Sequence, residues 1–186
     1  MNGMQRLKIF VKQIVDRLRG RTSLETLVNR GLVLGTDVSI MPGCILDPAH
    51  CFLISIGDRV TLAPNVHVLA HDASTKRLMG YTKIGTVEIE RDVFVGAGSI
   101  ILPGVKIGEQ TIIGAGSIVT KSVPKQMVYA GNPAKAICTV AEYRDKNNDF
   151  LKDSLIYGDE YSYQQITSKK KIRMRNELAN RNGFIR

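Results

Sequence analysis

The chain has 186 residues, 44% of them hydrophobic, and 26 Lys and Arg against 17 Asp and Glu, for a formal charge of +9. That length holds one domain with appendages, and no apolar run approaches the roughly 18 residues of a membrane-spanning helix. The basic excess belongs mostly to the ends, since residues 1–30 carry seven Lys or Arg against two acids while residues 31–139 carry nine against eight. Without aromatic interleaving or a recognisable motif, nucleic acid is not an expected partner.

In "QRLKIFVKQIVDRLRG", Leu7, Phe10, Val11, Ile14 and Leu18 share one helical face and Gly20 is a plausible stop. Charges at Lys8, Lys12 and Asp16 interrupt any signal-peptide core, so a cytoplasmic protein is expected. Lys8, Lys12, Arg17 and Arg19 beside the apolar stripe also suit peripheral association of residues 1–20 with the inner membrane face. A second short helix, "SLETLVNRG", has Ser23 as N-cap and Gly31 as terminator. Residues 1–30 are therefore read as N-terminal helices that cap the segment after Gly31.

From Ile89 an aliphatic residue returns every six positions: Ile89, Val95, Ile101, Ile107, Ile113, Val119. Four positions after each stands Val93, Ser99, Val105, Thr111, Ser117 or Val123, all small or β-branched. The same step recurs at Ile56, Leu62 and Val68, and at Leu34, Ile40 and Leu46. A period of six fits neither a helix nor a long strand, but it fits short strands broken by regular corners. Gly43, Asn65, Asp92, Gly98, Gly104 and Gly116, each three after an aliphatic, tolerate the positive φ such corners need. Three sides close a coil of eighteen residues whose inward aliphatics are buried only if coils stack. On that period "VGAGSI" at Val95–Ile100 stacks under "IGAGSI" at Ile113–Ile118, leaving a smooth column of small residues.

The register breaks twice, with a step of ten between Leu46 and Ile56 and a longer excursion between Val68 and Ile89. Insertions in a solenoid become loops on one face and often carry binding groups. The expected organisation is mainly β: N-terminal helices over 1–30, a parallel β-helix over 31–138 with an excursion loop over 70–86, and a C-terminal helix and basic tail over 139–186. "TVAEYRDKNNDFL" reads as a helix, and residues 150–186 as weakly patterned.

The three histidines, His50, His67 and His71, all lie in or beside the irregular segments. His71 falls where the hexad begun at Val68 places its corner, so its side chain is expected to point outward, and a neutral imidazole there can act as general base. A solvated loop histidine is the other reading. Cys44, Cys51 and Cys138 are odd in number and lack metal-ligand spacing, which fits reduced structural thiols.

"APNVHVLAHDAS", followed by the excursion, "VFVGAGSIILPGVKIGEQTIIGAGSIVTKSVP" and "AGNPAKAI", resembles the hexapeptide-repeat, left-handed parallel β-helix acyltransferases, close to the sugar and polysaccharide O-acetyltransferases. The resemblance implies the left hand, a homotrimer with active sites between subunits, and acetyl-CoA as co-substrate with no metal required. It implies His71 as catalytic base, with His67 as second choice, and the N–H of Ala97 as oxyanion donor. It implies CoA contacts at Ala97, Ala115, Thr120, Lys121 and Lys135; Cys138 departs from a basic position of the family. Gly43, Asp47, His50 and Asp72 are candidate contacts for a small-molecule or glycan acceptor, Asp72 alternatively orienting His71. Two other readings stay open: a γ-class carbonic-anhydrase-like trimer binding zinc through histidines, and a non-catalytic scaffold.

Overall fold

The computed structural model describes residues 22–186; the expected first helix and its apolar stripe lie outside the described residues. Contacts divide the chain into two units, Met1–Val140 and Ala141–Arg186. The first opens with α1 (Leu24–Asn29), where the Ser23 hydroxyl accepts from Thr26 N at 3.2 Å, satisfying a helix-end donor. Gly31 follows at φ 102°, and the chain turns so that Leu27 and Leu32 close the end of the core.

The coil then begins. β1 (Val33–Leu34), β2 (Ser39–Ile40) and β3 (Ile45–Leu46) form the first turn, and β4 (Ile54–Ile56), β5 (Thr61–Leu62) and β6 (His67–Val68) the second. The excursion contributes β7 (His71–Asp72), the single helical turn α2 (Lys76–Met79) and β8 (Lys83–Ile84). The coil resumes with β9 (Val87–Ile89), β10 (Phe94–Val95), β11 (Ile100–Ile101), β12 (Lys106–Ile107), β13 (Ile112–Ile113) and β14 (Ile118–Val119), and ends in a hairpin of β15 (Met127–Ala130) and β16 (Lys135–Thr139).

Parallel stacking makes three flat faces. Face one is β1-β4-β9-β12, face two is β2-β5-β10-β13-β15-β16 and face three is β3-β6-β11-β14. Ile56, Leu62, Val68, Ile89, Val95, Ile101, Ile107, Ile113 and Val119 point into the prism and are at most 1% exposed. The companion residues Val60, Val66, Val93 and Val105 are buried at the corners, whereas Val123, expected as another, stacks in parallel on Ile107 of face one because the last coil is shorter. Ser99, Thr111 and Ser117, buried at equivalent corners, each donate a hydroxyl hydrogen bond to a carbonyl of a neighbouring rung or turn, so their burial leaves no orphan polar group. The fold is thus the mainly β, left-handed parallel β-helix of hexapeptide repeats.

Close stacking at one corner has a measurable consequence. A Cβ on Gly96 would stand 2.8 Å from the Cα of Ala115, against backbone that cannot swing aside. Gly96→Ala should therefore cost about 1–3 kcal/mol of stability in urea unfolding. Gly98→Ala, two residues on in open space, pays only for a φ of 69°, about 1 kcal/mol.

The second unit departs from the expectation of a weakly patterned tail. After α3 (Val140–Lys152), β17 (Leu155–Tyr157) pairs in parallel with β18 (Gly183–Ile185), with α4 (Ser168–Glu177) between them. Tyr157, 4% exposed, centres this small unit: its ring meets Tyr161 at 4.8 Å and its hydroxyl donates to Glu177 at 3.1 Å. Glu177 also accepts from Arg173 at 2.7 Å, which neutralises one of the many cations in this segment. Strands of three residues give almost no periodic signal, and their pairing spans 28 positions.

Candidate active site

The first register break builds the floor of the site. At the end of β3, Asp47 begins "DPAH" and its carboxylate Oδ1 accepts from the N–H groups of Ala49 at 3.1 Å and His50 at 3.2 Å. This Asx-type turn leads into a short helical turn at Cys51–Leu53. The insertion lengthens one coil by four residues, so Leu46 pairs with Val68 rather than with a residue eighteen on. As a result Asp47 comes to lie beneath the point where the chain leaves the second coil. Its Oδ2 accepts from Ala70 N at 3.0 Å and pairs in a short hydrogen bond with His71 Nδ1.

Asp47 is 1% exposed. Burial pushes its carboxyl up, but the bond from His71 and those from Ala70, Ala49 and His50 outweigh it and hold the group below the usual carboxylate range. An ionised Asp47 accepts the Nδ1 hydrogen of His71 and leaves Nε2 with its lone pair free, the tautomer of a general base. His71 is about one-third exposed and lines a cleft of about 400 Å³ with Leu69, Asp72, Ala73, Lys83, Pro103 and Thr120 among its walls.

Several placements differ from expectation. His71 is not a corner residue: it opens β7 and pairs antiparallel with Ile84 of β8, because the excursion leaves the coil after Ala70 and returns at Gly85, whose N–H donates to Ala70 O at 3.0 Å. Asp47, expected at the acceptor, has all its acceptor positions filled inside the protein and holds His71 instead. Asp72, considered as the orienting carboxylate, is exposed and accepts from Ser74 N at 2.9 Å; it is a wall of the cleft. Gly43 lies at the corner between faces two and three, at φ 87° and tight against the Asn65 side chain, so its lack of a side chain serves the turn. His50 does not line the cleft; its ring sits obliquely on that of His71, with centroids 4.8 Å apart. His67 lies in β6 between Ile45 and Ile100, so the three histidines do not converge.

The expected CoA residues fall into two groups. Ala97 and Ala115 stack at the corner between faces two and three, where Gly116 N donates to Ala97 O at 2.8 Å. The turn joining β15 to β16 continues this column, with Gly131 N donating to Ser117 Oγ at 3.2 Å, and it carries exposed Lys135 at its edge. Ala97 and Ala115 are exposed, and their N–H groups donate to no described residue. Thr120 and exposed Lys121 instead follow β14 at the opposite edge of face three, on the His71 side. Within one chain the small-residue column therefore does not run to His71; the width of face three separates them. Leu69, Lys83, Leu102 and Pro103 complete the cleft and were not expected as site residues: Leu69 and Lys83 adjoin or lie in the excursion, while Leu102 and Pro103 reach it from the rung of β11 stacked on β6.

The family model described as bacterial transferase hexapeptide (six repeats) matches residues 86–121. Protein CapG of Staphylococcus aureus is 39% identical over 119 residues, covering 60% of this chain and 69% of that protein. A maltose O-acetyltransferase from Clostridium difficile 630 is 38% identical with a TM-score of 0.51, covering 57% of each chain. A hexapeptide-repeat acetyltransferase of Vibrio cholerae O1 biovar eltor, complexed with acetyl coenzyme A, is 29% identical with a TM-score of 0.50, over 57% of this chain and 58% of that one. Beyond CapG the chain spans about half the length of the curated relatives it matches, from 38% to 55%. With its unbroken hexads, its three-faced prism and this coverage of CapG, the chain belongs to the bacterial hexapeptide-repeat transferase family, the hexapeptide acyltransferases.

Proposed function

We propose that the protein transfers an acetyl group from acetyl-CoA to a hydroxyl of a saccharide acceptor, with His71 as base. The observation that carries this reading is the buried carboxylate of Asp47 on His71 Nδ1, with the ring lining a cleft. Nε2 takes the acceptor proton as the oxygen attacks the thioester carbonyl. A C–O bond forms, the carbonyl becomes a tetrahedral oxyanion, the C–S bond breaks, and the departing thiolate recovers the proton from Nε2. An N–H donor on the oxyanion is worth about 3–4 kcal/mol in such reactions, and Ala97 offers an unused one. Lys135 and Lys121 suit the CoA phosphates as point charges. The acceptor class rests on the relatives, which include a maltose O-acetyltransferase and galactoside O-acetyltransferases.

The reading also requires a second copy of the chain. His71 stands on one edge of face three and Ala97 and Ala115 on the other, so a neighbouring subunit must bring its small-residue column to this cleft. A homotrimer with sites between subunits satisfies that requirement through one heterologous interface repeated around a ring. Mixing makes it testable, because His71→Ala and Ala115→Phe damage opposite halves of a shared site. Co-assembled in equal amounts, the two inactive variants should recover about a quarter of wild-type activity, the share of junctions that pair two intact halves. Sites confined to one chain would recover none.

The activity itself is tested by following free-thiol release from acetyl-CoA over a panel of mono- and oligosaccharides. Acceptor-dependent release that yields an O-acetyl ester is the expected result. Release independent of every saccharide would overturn the acceptor class.

A further inference from the structure

One group beside the cleft has no part in the reaction described. His50 Nδ1 is buried and has no hydrogen-bond partner, although it lies 3.9 Å from Asp47 Oδ1. One ligand atom from each of Asp47, His50 and His71 lies within 4.8 Å of the other two. An enclosed nitrogen without a partner is unfavourable, so a group that takes its lone pair is favoured there. Two imidazoles and a carboxylate suit Zn²⁺ and other late first-row divalent ions. Around tetrahedral Zn²⁺, with bonds of about 2.0–2.2 Å, ligand atoms stand about 3.4 Å apart, so His50 Nδ1 must move in while the short Asp47–His71 contact opens to admit the ion. The His50 ring, part exposed and unbonded at Nδ1, is the member free to turn. Asp47 Oδ1 meanwhile stays anchored by Ala49 and His50 N–H groups.

We propose that Asp47, His50 Nδ1 and His71 Nδ1 form an inhibitory site for a divalent transition-metal ion. The effect on rate rests on the acetyltransferase reading; the binding does not. The ion replaces the proton that His71 Nδ1 shares with Asp47; solvent takes that proton and returns one to Nε2, so the ring stays neutral and no net proton is released. A neutral imidazole ligating through Nδ1 carries its hydrogen on Nε2, so the nitrogen that should accept the acceptor's proton becomes a donor. The base is switched off while the cleft walls and the Ala97–Ala115 column stay as they are.

The experiment is calorimetric titration of the full chain with ZnCl₂ in two non-chelating buffers of different ionisation enthalpy. One ion per chain is expected, with equal heats in the two buffers, since the His71 ring keeps one hydrogen and only moves it from Nδ1 to Nε2. His50→Ala should weaken binding about ten-fold or more, whereas His67→Ala, altered on face three outside the cluster, should leave it unchanged. Long-range ¹⁵N NMR on the unaltered protein supplies a readout that no variant's folding can obscure: saturating Zn²⁺ should move His71 from the Nδ1–H to the Nε2–H tautomer. Absence of binding, equal binding by His50→Ala, or an unchanged tautomer overturns the proposal. If Zn²⁺ binds and shifts the tautomer but the metal-free protein transfers no acetyl group, the metal site stands and the acetyltransferase reading fails.

Discussion

His71→Ala should lower kcat for acetyl transfer by about 10²–10⁴-fold, the range a positioned acid–base group supplies. Because the imidazole takes the proton as the new bond forms, kcat and kcat/KM should fall together, with KM for acetyl-CoA little changed. The affinity for CoA, measured by direct titration, should stay within about two-fold, since the proposed contacts to CoA are made by Ala97, Ala115, Lys121 and Lys135 and none by the His71 side chain. The hairpin should persist, because His71 pairs with Ile84 through the backbone. Asp47 keeps three of its four hydrogen-bond donors, so the buried carboxylate loses one partner and stability falls by about 1–3 kcal/mol. Added imidazole should restore part of the rate by entering the space beside Asp47. Unchanged kcat in a folded variant would remove His71 from the mechanism.

The corners show how far a repeat can be read. Gly43, Asn65, Asp92, Gly98, Gly104 and Gly116 have φ between 59° and 87°, as their residue types suggested. Arg59, Gln110 and Gln126 adopt φ of 53°, 57° and 59° at the equivalent step, though none of these types favours that region. Position in the coil imposed the conformation there, and the stacked rungs on either side carry its cost. His71 marks the limit of the same extrapolation. β11 stacks on β6 there, but the excursion lengthens the connection after Ala70, so the chain forms a hairpin in place of a corner.

The site was half legible for a related reason. His71 could be singled out because it interrupts a repeat with a titratable group. Its pairing with Asp47 could not, since it depends on the four residues inserted after Pro48, which shift stacking from eighteen to twenty-two positions. Eighteen-residue arithmetic puts "VGAGSI" correctly beneath "IGAGSI", because no insertion separates those coils. What it lacks is the lateral view: the column and the base occupy two edges of one face, a fact of strand direction rather than spacing. In the second unit the helix α3 was legible as "TVAEYRDKNNDFL" and the rest was not, as Tyr157 gathers its neighbours through contacts that no short window contains.

Asp47→Asn is the sharper test of the dyad, since it keeps size and shape and changes only protons. The carboxylate accepts four hydrogen bonds, from Ala49 N, His50 N, Ala70 N and His71 Nδ1. An amide has one accepting atom, so either orientation sets its NH₂ against buried N–H donors. With its oxygen toward Ala49 and His50, the NH₂ faces Ala70 N–H and donates to His71 Nδ1, which forces the hydrogen onto Nε2 and disables the base. With its oxygen toward His71 the tautomer survives, but the NH₂ then meets two backbone donors in place of one. The first orientation is the cheaper, so the stable form of the variant is the inactive one. An amide in place of a triad's orienting carboxylate costs about 10⁴ in kcat, and a loss of about 10²–10⁴ is expected here. Stability should fall by about 1–3 kcal/mol from the unmatched donor, read by urea unfolding. Affinity for CoA should be preserved, and ¹⁵N NMR should find His71 with its hydrogen on Nε2. A variant that keeps the Nδ1–H tautomer and wild-type kcat would show that Asp47 serves the turn at Pro48 and not the base.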